Sequence, residues 1–237
     1  MKQIFVLVFA AFGAFQVSAQ KQVISDANAQ QRSVGSFHAI KVSNAIDVMI
    51  SQGNEEGLAV SARTDEYRDK IKSEVRNGVL VISYSETSWN GGGNRKLKAY
   101  VSVKTLDRIT ASGACDVIVN GKLETKELSL DFSGASDFKG TVSTDYLDVD
   151  ISGASDVTVN GSATAARVRA SGASDFKGYD LQTEKSEVKA SGASDIKITV
   201  NKELNAEASG ASGVHYRGEG MIRDIKSSGA SSVSRKG

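Results

Sequence analysis

Five aspartates recur through the second half of the chain at nearly constant spacing: Asp116, Asp137, Asp156, Asp175 and Asp195. Carboxylates gathered into one row can do two kinds of chemistry. They can ligate a hard cation such as calcium through oxygen, or accept hydrogen bonds from backbone amides at a turn. Calcium takes roughly six to eight oxygen ligands, and the nonapeptide repeat of calcium-binding β-rolls is absent. The surroundings therefore favour a structural turn ladder, and no metal or other cofactor is expected. Exposed carboxylates about 4.8 Å apart repel by roughly 1 kcal/mol in a water-like dielectric. Lys139, Lys177 and Lys197, two residues after their aspartates, are placed to offset that.

Other reactive residue types form no catalytic pattern. Cys115 is the single cysteine, so no internal disulfide exists, and it stands where its neighbours carry a motif serine. It reads as a small corner-filling residue rather than a nucleophile. His38 and His215 lie far apart, with no metal-ligand spacing. The recurrent serines lack the G-x-S-x-G elbow. The run Gly91-Gly92-Gly93 is followed by no Gly-Lys-Ser/Thr, which excludes a phosphate loop. Trp89, the only tryptophan, sits beside that run and could stack on a ligand or fold back on the body. With Tyr67, Tyr84 and Tyr100 it makes the candidate binding set.

The aspartates belong to a repeat. S-G-A-C-D begins at Ser112, S-G-A-S-D at Ser133, Ser152, Ser171 and Ser191, S-G-A-S-G at Ser209 and S-G-A-S-S at Ser228. A period near 20 residues marks a solenoid in which each repeat is one stacked coil. After the motif comes Val117, Phe138, Val157, Phe176, Ile196, Val214 or Val233. Three residues before it stand Ile109, Leu130, Val149, Val168, Val188, Ala206 and Ile225. Polar residues alternate with these, so each coil offers two strands, one face buried and one wet, joined at the S-G-A-S-D corner. The expected fold is all-β: a right-handed parallel β-helix with an amino-terminal β-strand and hairpin cap. Asn77-Gly78 is the hairpin turn, and Asp65 to Ile71 has room for one helical turn. The polar tail from Ser231 suits an end that recruits no further strand.

Residues 1–19 read as a signal peptide: Lys2, an apolar run, then Val17-Ser18-Ala19. Residues 20–36 read as a flexible leader, 37–108 as the β cap region and 109–237 as the repeats. No cysteine stands directly after the cleavage point, no apolar run is long enough to span a membrane, and no β-barrel translocator is expected. The expectation is an exported chain, in the periplasm, on the cell surface or secreted, that does not translocate itself. Without Lys2, 28 basic residues balance 28 acidic ones, which argues against nucleic acid as a partner.

Phe37–Ile50, the Asn77-Gly78 hairpin and the serial S-G-A-S-D coils resemble the auto-transporter adhesin, head GIN domain family. The resemblance spans about residues 34 to 235, implies a right-handed parallel β-helix and supplies no catalytic residues. It implies a non-enzymatic, adhesion-like envelope module whose partner is a surface glycan or protein. Two other readings stand beside it: a polysaccharide-active β-helix enzyme, and a structural envelope component that forms homo-oligomers end to end or side by side.

Overall fold

The computed structural model describes residues 26–85 and 94–236. In chain order, β1 (Gln30–Arg32), β2 (Ala39–Ser43), β3 (Asp47–Gln52) and β4 (Gly57–Ser61) precede the short helix α1 (Asp65–Asp69). A hairpin of β5 (Ile71–Arg76) and β6 (Val79–Tyr84) leads to β7 (Lys98–Val103). Then come β8 (Arg108–Ser112), β9 (Asp116–Glu124), β10 (Glu127–Phe132), β11 (Asp137–Ile151) and β12 (Asp156–Ala170). β13 (Asp175–Ala190), β14 (Asp195–Ala208), β15 (Gly213–Arg217), β16 (Met221–Ser227) and β17 (Ser232–Arg235) complete the series.

These strands form a parallel β-solenoid with two flanks. One flank stacks β6, β2, β8 and β10, then the later halves of β11 to β14, then β16. The other stacks β7, β3 and β9, then the earlier halves of β11 to β14, then β15 and β17. Antiparallel strands close the amino-terminal end, with β5 on β6, β4 on β7 and β1 on β4.

The core is the pair of columns that the alternation marks. Val117, Phe138, Val157, Phe176, Ile196 and Val214 are all buried and lie in register from coil to coil. Where a phenylalanine enters, the residue two positions on is glycine. A Cβ at Gly140 would stand 2.8 Å from the Phe138 ring, and one at Gly178 would collide with Phe176. Val157 and Ile196 leave room for Val159 and Ile198 instead. Each coil thus fills the same interior by a different split of volume, at the density that cores require. Phe132 packs edge-on against Phe138, with centroids 5.5 Å apart.

The corner explains the motif. Its glycine has positive φ in every copy, and its carbonyl accepts the N–H of the next coil's alanine, as in Ala154 to Gly134 at 2.7 Å. A Cβ at Gly134 would sit 2.5 Å from that same carbonyl of Gly113. Both the left-handed conformation and the close approach demand glycine. The following serine is buried and braces the turn. Ser194 Oγ donates to Ser191 O at 2.8 Å and accepts from the Ser191 N–H at 3.2 Å. Ser212 and Ser231 repeat the arrangement.

Parallel stacking reaches further toward the amino terminus than the serial motif. β2 and β3 form a complete coil, with Ile40 opposite Ile109 and Val48 opposite Val117. Its corner, Ser43-Asn44-Ala45-Ile46-Asp47, is a disguised copy of Ser112-Gly113-Ala114-Cys115-Asp116, with Ser43 opposite Ser112. Asn44 takes the left-handed place of glycine (φ 68°), which asparagine tolerates better than most residues. This coil is flanked on both sides, because β6 and β7 stack on its outer face and β8 and β9 on its inner one. The chain leaves after β3, builds the cap, and returns past its own first coil.

Candidate functional site

The residues that do not repeat are concentrated in the amino-terminal cap, and three expected site residues fall there within the described chain. Tyr84 ends β6 and is buried. Tyr67 lies on α1, whose first turn is capped by the Thr64 hydroxyl accepting the Tyr67 N–H. The Arg95 guanidinium joins the two rings, 5.1 Å from the Tyr84 centroid and 6.0 Å from that of Tyr67, within cation–π range. On one side of the segment between 85 and 94, the Ser85 N–H donates to Lys70 O. On the other, Arg63 N–H donates to Arg95 O and Asp47 N–H to Leu97 O. Both stems of that segment are therefore fixed. Trp89 and Gly91–Gly93 lie outside the described residues.

Tyr100 is not part of this cluster. It lies on β7, and its hydroxyl donates to the Asp26 carboxylate at 2.8 Å. Burial works to raise the Asp26 carboxyl. Hydrogen bonds from Tyr100, the Asn28 N–H and Ser61, with the charge of Lys98, outweigh it and hold the group below its ordinary range. Burial and the Asp26 contact together push the Tyr100 phenol far up. Tyr100 is a neutral donor that ties residue 26 onto the cap.

The aspartates do form a ladder, one per coil and in register. Asp47 extends it by one coil, since Val48 stands opposite Val117. The spacing S-x-A-x-D at Ser43 is the signal for this member, hidden because neither the glycine nor the second serine is kept. Along the ladder the carboxylates have different partners. Asp137 accepts the N–H of Asp156 at 3.0 Å, and Lys177 Nζ reaches Asp156 at 2.5 Å and Asp175 at 3.9 Å. At the amino-terminal end, burial and then Asp137 raise the Asp116 carboxyl, while burial and then Asp116 raise Asp47. Among the described residues no group of three or more His, Cys, Asp or Glu side chains is placed to hold a metal ion.

The remaining reactive groups are occupied structurally. Cys115 is buried, its Sγ donating to Ser112 O at 3.4 Å, and burial pushes its thiol up. His38 Nδ1 pairs with Asp107 at 2.9 Å and His215 Nδ1 with Ser234 at 2.8 Å. The variable second corner, for which the sequence offers no fixed motif, forms a shallow polar trough of about 520 Å³. Thr125, Lys126, Ser143, Thr164, Gln182 and Asn201 are among its lining residues. Among the described residues no helix is long and apolar enough to cross a membrane.

Several solved structures share this architecture. A putative adhesin from Bacteroides fragilis NCTC 9343 superposes with a TM-score of 0.83 at 20% identity, covering 88% of this chain and 96% of its own. A putative adhesin from Parabacteroides distasonis ATCC 8503 gives a TM-score of 0.71 at 19% identity, over the same shares of the two chains. A protein from the same organism described as a putative lipid binding protein gives 0.69 at 17% identity, again over 88% and 96%. At these identities the likeness establishes the fold alone. No curated protein matches the chain. A family model, the putative auto-transporter adhesin, head GIN domain, matches residues 36–220. Nearly all the described coils fall within that match, and the chain belongs to the putative auto-transporter adhesin, head GIN domain family.

Proposed function

We propose that this chain is an exported, non-catalytic binding module of the cell envelope, with recognition concentrated at the amino-terminal cap. The carrying observation is the contrast between the two parts of the molecule. The coil faces repeat in register and offer few unique groups. The cap presents a segment with both stems fixed, between Tyr84 and Arg95. That segment carries Trp89 and three consecutive glycines. An aromatic on a loop held by a rigid scaffold is a common recognition arrangement. The ligand class is a surface glycan or protein, met in the periplasm, at the cell surface or outside the cell. The buried hydroxyls of Ser174, Ser194 and Ser212, spent on backbone carbonyls, support a non-catalytic reading.

The test is an array of glycans and matrix proteins probed with the mature chain. Trp89→Ala and deletion of Gly91–Gly93 are expected to lower binding, with unfolding free energy within about 1 kcal/mol of the parent, as for surface changes. Turnover of a polysaccharide by the purified protein, or binding indifferent to both changes, defeats the proposal.

A further inference from the structure

The carboxy-terminal end of the solenoid is not uniform. Its β17 half is polar, with Ser232, Ser234 and Arg235 around Val233, as the tail composition leads one to expect. Its β16 half is different. Every residue of β16 is exposed, and three are large and apolar: Met221 at 61%, Ile222 at 43% and Ile225 at 41%. Ile225 continues the core column, standing opposite Ala206, yet among the described residues no strand covers its other side. β16 pairs only with β14.

The backbone of this edge can be read residue by residue. Ser228 N–H donates back to Ala208 O at 3.0 Å. Because amides alternate in direction along a strand, those of Lys226 and Asp224 also point back toward β14. The N–H and C=O of Ile225 therefore point outward, unpaired. Asp224 and Lys226 flank it on the wet face, 3.0 Å apart within one chain. A register shift at Arg223 interrupts the pairing, with Met221 and Ile222 opposite Glu203 and Leu204 before it and Asp224 opposite Asn205 after it.

We propose that β16 is a self-association edge, at which two copies of this chain join tail to tail, strand antiparallel to strand, about a two-fold axis at Ile225. That register places Ile225 opposite Ile225, where the two residues exchange both N–H···O bonds as a hydrogen-bonded antiparallel pair does. It also places Asp224 of each copy opposite Lys226 of the other. Two opposite-charge pairs thus form in the close, non-hydrogen-bonded positions. The edge is self-complementary in hydrogen bonding, apolar contact and charge, which an isologous interface requires. A head-to-tail addition would instead set β16 against β5, the outermost strand at the other end of this flank, and would build a filament rather than a closed dimer.

Sedimentation equilibrium on the full chain tests this. A concentration-dependent dimer is expected, abolished by Ile225→Arg. Asp224→Lys and Lys226→Asp should each weaken it roughly tenfold or more, since each turns both cross-strand pairs repulsive. Mixing the two single variants should restore association as a heterodimer, because each then supplies the sign the other lacks. That rescue also shows that both variants fold. A wild type that stays monomeric, a dimer unmoved by either charge reversal, or a mixture no tighter than its components overturns the proposal.

Discussion

At the residue scale, side-chain volume and charge decide what each coil tolerates. Phe176 is fully buried over Gly178, and Phe176→Ala is expected to cost about 3–5 kcal/mol in urea unfolding. The carboxylate ladder behaves less uniformly. Asp156 is tied to Lys177, so Asp156→Ala should lower the melting temperature equally with and without calcium. A calcium-dependent stabilisation of the parent that the variant loses would assign the ladder to metal binding instead. Asp116 should respond in the opposite sense. Its carboxyl lies above the ordinary value of 3.8, raised by burial and then by Asp137, so folding favours the protonated form. That contribution is present below pH 3.8 and is lost as the pH rises through the raised value. Asp116→Asn should therefore stabilise the fold at pH 7, by no more than about 1 kcal/mol because the group is largely solvated. The gain should shrink toward zero as the pH falls below 3.8, where Asp116 is protonated in the folded and unfolded states alike. Urea titrations on both sides of that value check the sign.

At the element scale, the corner is the unit that the chain repeats, and serine at its fourth place is its brace. Ser194→Ala removes a donor to Ser191 O and to Ala170 O and an acceptor for the Ser191 N–H. Leaving such groups unpaired costs about 1–3 kcal/mol, measured by thermal or urea unfolding. Ser194→Cys should cost less, since Cys115 already fills that place with its Sγ on Ser112 O. The coils from Ile109 onward were legible because glycine, small residues and apolar columns recur at fixed intervals. The β5–β6 hairpin was legible because Asn77 and Gly78 both take positive φ, as their two-residue turn requires. The coil of β2 and β3 was not legible as a repeat. Asn44 replaces its glycine, Ile46 its serine, and the next coil to stack on it begins only at Arg108. Nor did the aspartate column disclose which side chain holds the corner, because serine and aspartate recur with the same period. Ala45, at φ 58° in that irregular corner, carries strain that glycine would not. Ala45→Gly is expected to be neutral or to stabilise by up to about 1 kcal/mol, against the usual cost of such a change; a clear loss in the melt would show that Ala45 is unstrained.

At the scale of the whole molecule, a solenoid is held mainly by contacts between neighbouring coils, so protection should vary along its axis. Amides of β16 and β17 should exchange hydrogen faster than those of β12 and β13, which are covered on both sides. A flat exchange profile would mean that the rod opens only as one unit. The flanked first coil has a further consequence, for the order in which the molecule can be assembled. Ile40 is synthesised early, yet its two neighbours are Leu80 and Ile109. One side of β2 cannot close until β6 has been made, nor the other until β8 has been made, and contacts so distant in sequence form slowly. The earliest-made coil therefore behaves as a keystone, set last between two later courses. A chain halted before β8 would expose Val42, Val48 and Ile50 on an open edge. Pulse-labelling during refolding should show β2 and β3 gaining protection together with β8 and β9, never before them. Under the export proposed above, that delay would keep the leading end pliable until the sequence needed to lock it has followed.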